Sequence, residues 1–169
     1  MTATEVIRTL GLAPLPVEGG YFLQTWRSED MLERAALPPR YPGPRSYGTA
    51  IYYLLTCEPE CFSALHSLAT DEVYHFYLGD PVEMLLLHPD GHSVLLTLGQ
   101  DLAAGQRPQI LVPAGVWQGE RLVEGGKLAL FGCTVTPGFD FADYMSGSYA
   151  ELSEKWPAVA ERIRELTRI

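Results

Sequence analysis

From Thr49 onward, apolar and polar positions follow one another in short runs separated by turn residues. TAIYYLL, CFSALHSL, EVYHFYLG, VEMLLLH, SVLLTLG, PQILVP, VWQGERLV and KLALFGCTV each have the texture of a β-strand. About eight strands at hairpin spacing predict an antiparallel sandwich or barrel. The turns between them have a mechanism. Asp90-Gly91 and Gly125-Gly126 supply the positive φ of tight hairpins, and Pro81, Pro108 and Pro113 fall at strand ends, where a missing N–H costs little.

The flanks read differently. TATEVIRTL predicts a short helix capped by Thr2 or Thr4, with Val6, Ile7 and Leu10 as its apolar edge and Gly11 as its stop. Loop residues are expected next. The stretch from Met31 to Arg45 carries Pro38, Pro39, Pro42 and Pro44, rings that forbid regular pairing, so it predicts an exposed excursion that is a candidate lid or interface arm. At the other end, Leu152, Trp156, Val159, Ile163 and Leu166 recur at alternating steps of four and three, one stripe of an amphipathic helix over about 149–167. Pro157 interrupts it, so the helix proper is expected to begin near that proline, with the preceding turn separate. The stripe is expected to pack on the barrel exterior. The barrel core is expected over about 47–138, inside a single domain of residues 1–169.

Composition adds limits. A chain of 169 residues with 47% hydrophobic content can bury one sizeable core without metal or disulfide staples. Subtracting 21 acidic from 12 basic side chains gives a net charge of −9, which opposes attraction to phosphate backbones and anionic membranes. No nucleic-acid or membrane partner is expected; a small-molecule ligand is. Cys57, Cys61 and Cys133 are odd in number and form no CxxC pair, so reduced core thiols and a cytoplasmic setting are expected. The start MTATEV lacks the pattern of a signal peptide.

The chemistry concentrates in SALHSLATDEVYHFYLG. His66, Leu68, Glu72 and Gly79 follow the spacing H-x-L-x3-E-x6-G, and Pro113, Gly115 and Gln118 of PAGVWQ follow P-x-G-x2-Q. These strings resemble the two cupin motifs, whose usual form is H-x-H-x3-4-E-x6-G and P-x-G-x2-H. The longer set EGGYF (18–22), Arg27, IYYLL (51–55), DEVYHFYLG (71–79), PQILVPAGVW (108–117) and GCTVTPGFDFADY (132–144) resembles one branch, the cupin_5 or DUF985 proteins. The resemblance implies an all-β, double-stranded β-helix (jelly-roll) barrel of the kind shared with deoxysugar-nucleotide 3,5-epimerases, with short helices at both ends, and commonly a homodimer.

Departures from the motifs bear on cofactors. Metal-binding cupins hold their ion with three histidines and a glutamate; here Leu68 and Gln118 stand at two of the histidine positions. One imidazole and one carboxylate fall short of the three or four ligands a catalytic transition ion needs. No cofactor is therefore expected, and a divalent ion only if His75 joins His66, Glu72 and Gln118. Without metal, a neutral imidazole can remove a proton beside a carbonyl while a carboxylate orients it. The related epimerases set a His base and a Tyr acid on opposite faces of a keto-sugar. By that resemblance His66 is the candidate base, Glu72 its partner and Tyr144 a candidate acid, with Tyr53 and Tyr74 as alternatives.

Strand parity puts Glu72, Tyr74 and Phe76 on one face and Val73, His75 and Tyr77 on the other. The candidate ligand-binding set is Tyr53, Tyr74, His75, Phe76, Gln118, Arg27 and Arg45. The two guanidinium groups could grip phosphate or carboxylate, and an ion pair holding the segment before the barrel is the competing reading. Three functions stand at this point: a metal-independent isomerase or epimerase-like enzyme acting on a sugar or nucleotide-sugar, a metal-dependent oxygenase or isomerase, and a non-catalytic ligand-binding protein.

Overall fold

The computed structural model describes residues 1–168. Thirteen strands lie in it: β1 (Ala13–Pro14), β2 (Tyr21–Arg27), β3 (Met31–Leu32), β4 (Arg45–Ser46), β5 (Thr49–Thr56), β6 (Ser63–Leu68), β7 (Glu72–Gly79), β8 (Val82–Leu87), β9 (Ser93–Leu98), β10 (Gln109–Val112), β11 (Trp117–Leu122), β12 (Leu128–Val135) and β13 (Tyr144–Ser146). A six-stranded sheet in the order β1-β2-β5-β12-β7-β10 faces a five-stranded sheet in the order β13-β6-β11-β8-β9. The pairings between neighbours in both are antiparallel. The two sheets form a jelly roll.

Alternation sends one set of side chains into the space between the sheets and the other outward. On β5, Tyr53 and Leu55 join the inner core with Phe131, Met84 and Leu86, while Leu54 points out to Leu128, Leu130 and Val6. Val6 belongs to α1 (Ala3–Leu10), whose capping box of Thr2 and Glu5 fixes its start and whose left-handed Gly11 ends it. That helix covers one end of the six-stranded sheet. The opposite outer face, carrying Leu65, Leu85 and Leu87, is covered by Leu152, Trp156, Ile163 and Leu166. Each such burial stabilises by roughly 1.5–3 kcal/mol. With both faces covered, β6 is buried along its whole length.

The eight expected strands all form, and five more were not foreseen. The segment after Gly11 is not only loop: β2 pairs along β5, and a bulge between Gln24 and Trp26 breaks its alternation, so the sequence hides it. The proline-rich excursion is closed at its base by pairing of Met31 with Ser46 and Leu32 with Arg45. The C-terminal helix is two short pieces, α2 (Tyr149–Lys155) and α3 (Ala160–Glu165), because Pro157 cannot donate into a continuous ladder and starts a 3-10 turn instead. Of the three cysteines, Cys61 and Cys133 are buried and Cys57 is exposed, so the last is not a core thiol.

Candidate ligand-binding site

A cavity of about 530 Å³ opens between the two sheets. The six-stranded sheet contributes Tyr53 from β5, Glu72 and Tyr74 from β7, and Cys133 from β12; the five-stranded sheet contributes His66 from β6, Glu120 from β11 and Tyr144 from β13. Exposed Val17, Arg27 and Phe141 mark its mouth. A concave, mainly apolar enclosure with a few polar groups is the usual make-up of a small-molecule site. A second cleft of about 890 Å³ lies outside the barrel near Cys57 and Lys127, and its two arginines, Arg121 and Arg162, are paired with Glu165 and Glu83.

His66 is 2% exposed and held at both nitrogens. Nδ1 lies 2.8 Å from the Ala64 carbonyl, which can only accept, so Nδ1 carries the proton in the neutral ring. Nε2 is then an acceptor, and the Gln118 amide nitrogen stands 3.2 Å from it. The same amide donates to Glu72 Oε2 at 2.6 Å. One NH2 group thus serves an imidazole on β6 and a carboxylate on β7, while Gln118 Oε1 is left without a partner. Gln118 sits behind His66 and Glu72, at 1% exposure. A bulge positions this set: β11 runs from Gln118 opposite His66 to Glu120 opposite Ser63, so the extra residue on β6 turns both Ser63 and His66 inward.

The Tyr144 ring stacks on His66, with centroids 5.1 Å apart and 16° between planes, and its hydroxyl is buried without a partner. Burial holds this phenol well above its ordinary pKa, so it remains a proton donor. Burial likewise raises Glu72, against the opposing pull of His66. Glu120 is raised further, by burial first and then by the charges of Glu18 and Glu72, with the hydroxyls of Ser63 and Tyr74 offsetting part of it. Its Oε2 has no hydrogen-bond partner. The Cys133 thiol is pushed up by burial and stays protonated.

His66, Glu72, Tyr53, Tyr74, Tyr144 and Arg27 therefore meet at one cavity, with Gln118 supporting two of them. His75 does not join them. It lies on the outer face of the sheet, its ring nitrogens 3.3 Å from Gln109 and 3.3 Å from Thr134, because strand parity separates it from Glu72 and Tyr74. Phe76 has the inward parity but sits in the packed core. Arg45 is a structural cation: its guanidinium makes two 2.6 Å bonds to Asp143 at 3% exposure and offers nothing to a ligand. The competing ion-pair reading is the one the structure shows.

Two carboxyl groups at the cavity escaped the sequence reading. Glu120 had a signal, since it is two residues beyond Gln118 on one strand and so shares its face. Glu18 had none. It lies on a loop where Val17 adopts φ 70°, a strained conformation for a β-branched residue. Arg168 donates to the carbonyls of Val17 and Glu18, and Tyr53 to that of Gly19, and Ser63 donates to the Glu18 carboxylate at 3.0 Å.

Residues 4–146 match the family model described as Cupin superfamily (DUF985). The chain belongs to the DUF985 cupins. It is 30% identical over 135 residues to the uncharacterized protein YML079W of Saccharomyces cerevisiae, a match covering 75% of this chain and 66% of that one, just under two thirds of the yeast protein. Among solved structures, protein SO0799 of Shewanella oneidensis is 34% identical, with a TM-score of 0.84 over 99% of this chain and 98% of its own. A hypothetical protein from Leishmania major is 28% identical with a TM-score of 0.87, both chains covered in full at 100%.

The metal set of other cupins does not fit this DUF985 chain. Leu68 lines the cavity with no donor, the Gln118 amide turns its nitrogen to His66 and Glu72, and among the described residues no group of three or more His, Cys, Asp or Glu is arranged to hold an ion.

Proposed function

We propose that the cavity binds a small polar metabolite and moves a proton on it without a metal ion, an isomerase-like role in the cytoplasm. The observation that carries this reading is the His66–Tyr144 pair: an imidazole and a protonated, unpartnered phenol stacked side by side on one wall of the cavity. Rings 5.1 Å apart leave no room for a substrate between them, so both address a ligand from the same side. Two-face inversion at one carbon, the arrangement implied by resemblance to the epimerases, is not supported by this pair. Same-side transfer is: His66 Nε2 accepts the proton from a hydroxyl-bearing carbon while Tyr144 Oη donates to the neighbouring carbonyl oxygen; His66 then gives its proton to the former carbonyl carbon, and the hydroxyl of the first carbon returns a proton to Tyr144 and becomes the new carbonyl. His66 Nε2 is free for this only when the ligand displaces the Gln118 amide.

That engaged Nε2 favours a second reading, in which the cavity binds its ligand without chemistry. One experiment separates the two. Metabolites that raise the melting temperature are incubated with the protein in D2O and followed by NMR. Deuterium uptake at a ligand carbon, lost by roughly 100-fold or more in His66→Ala and Tyr144→Phe, supports proton transfer. Stabilisation without uptake leaves binding alone, and no stabilising metabolite at all removes both readings.

We also propose that the chain pairs with a second copy through the uncovered part of the six-stranded sheet. Leu23 and Tyr52 are paired neighbours there, Tyr77 packs edge-on against Tyr52, and Leu111 is exposed on the edge strand. Exposed apolar side chains grouped on one face are the usual mark of an interaction surface.

A further inference from the structure

The ionisable side chains around the cavity are mostly carboxyl groups. Glu18, Glu72, Glu120 and Asp140 line it, against the lone guanidinium of Arg27 among the described lining residues. Arg27 stands at the mouth with Nη1 donating to the Phe139 carbonyl at 3.1 Å. Of the nearby cations outside the lining, Arg45 is tied to Asp143 and Arg168 to the backbone carbonyls of Val17 and Glu18. An acidic cluster by itself identifies nothing, but here one member is unfinished. Glu120 is 1% exposed, faces the cavity, and has an oxygen that no donor reaches. Buried polar atoms are almost always satisfied, and an orphan on a cavity wall marks where a guest supplies the missing donor. Aromatic rings complete the enclosure: Phe22, Phe139, Phe141 and Tyr144 line it, and Phe141 stands 72% exposed at the mouth.

We propose that the guest is a small organic cation, an amine or amidine on a flat or compact skeleton, whose N–H group donates to Glu120 while its ring or methylenes lie against the aromatic lining. The inference rests on the reading of the cavity as a ligand pocket and adds the class of ligand. A buried carboxyl oxygen without a donor accepts most strongly from a charged N–H, and a cation beside it favours the ionised form that burial alone disfavours; the electron-rich faces of the rings attract the same charge. A phosphate or carboxylate guest would meet four carboxyl groups and a single arginine already bonded to backbone. Nucleotide-sugars are the wrong sign for this cavity.

The test uses three probes of one skeleton: tryptamine as the cation, tryptophol as the neutral alcohol and indole-3-propionate as the anion. Binding is titrated by NMR, with the methyl signals of Ile51 and Val135 reporting occupation of the cavity. Tryptamine is expected to bind at least ~10-fold tighter than tryptophol, a charged hydrogen bond to a buried partner being stronger by that order, and indole-3-propionate weakest of all. Glu120→Gln is expected to erase the preference for tryptamine over tryptophol; Glu18→Gln, at a half-buried position, is expected to reduce it less. If Glu120→Gln does not fold, the ranking of the three probes on the native protein decides alone. Equal binding of tryptamine and tryptophol, or a preference for indole-3-propionate, overturns the charge inference and leaves the pocket standing. Binding of all three that never shifts the Ile51 and Val135 methyls, or no binding, overturns the pocket reading as well.

Discussion

Gln118 and Glu72 are joined across the barrel by a hydrogen bond of 2.6 Å, one residue on each sheet. Both are buried, so the bond closes a gap that water cannot fill. Gln118→Leu keeps the volume but leaves His66 Nε2 without its donor and Glu72 Oε2 with only the Tyr74 hydroxyl at 3.4 Å. A loss of about 1–3 kcal/mol is expected, the cost of orphaning buried polar atoms. Urea unfolding monitored by tryptophan fluorescence measures it, and an unchanged midpoint would show that the bond contributes nothing.

Glu120 makes stability depend on pH in a defined direction. Burial raises its folded-state pKa above the ordinary value of 4.5, so the folded chain binds the proton more tightly than the unfolded one. Its contribution is present in full below pH 4.5 and declines as pH rises from there toward the folded pKa. Gln cannot ionise. The melting temperature of Glu120→Gln relative to the native protein is therefore expected to climb between mildly acidic and mildly alkaline pH; calorimetry showing a difference that is flat with pH contradicts this.

Arg45 and Asp143 form a two-bond pair at the base of the segment that leads into Tyr144. Arg45→Ala strands a buried carboxylate, at an expected cost of about 3–5 kcal/mol. Removing both charges in Arg45→Met with Asp143→Leu is expected to recover most of it. A double variant as unstable as the single one would place the loss in packing rather than in the unpaired charge.

The uncovered sheet face supplies the last expectation. Leu23→Asp with Leu111→Asp puts charge on two exposed positions of that face, where neither substitution disturbs the core. Sedimentation velocity is expected to show a dimer for the native chain and a monomer for the variant. A native monomer at working concentration sinks the proposal.

The strand runs from Thr49 to Val135, the two motif strings and the caps of the first helix are local patterns, and the sequence alone determined them. Period-two alternation states which side chains share a face, and that was enough to separate His75 from Glu72 and to place Tyr53 and Tyr74 inward. It held also for Glu120, whose parity with Gln118 was legible. What the chain does not encode locally is which strands become neighbours. Only the tertiary structure decided that Arg45 belongs to Asp143, a partner nearly a hundred positions away, that the Gln118 amide faces two acceptors, and that Tyr144 lies on the same side as His66 instead of opposite it. Glu18 was hidden for the same reason: its position is set by a strained Val17 and by an arginine from the far end of the chain, contacts that exist only after the barrel has closed.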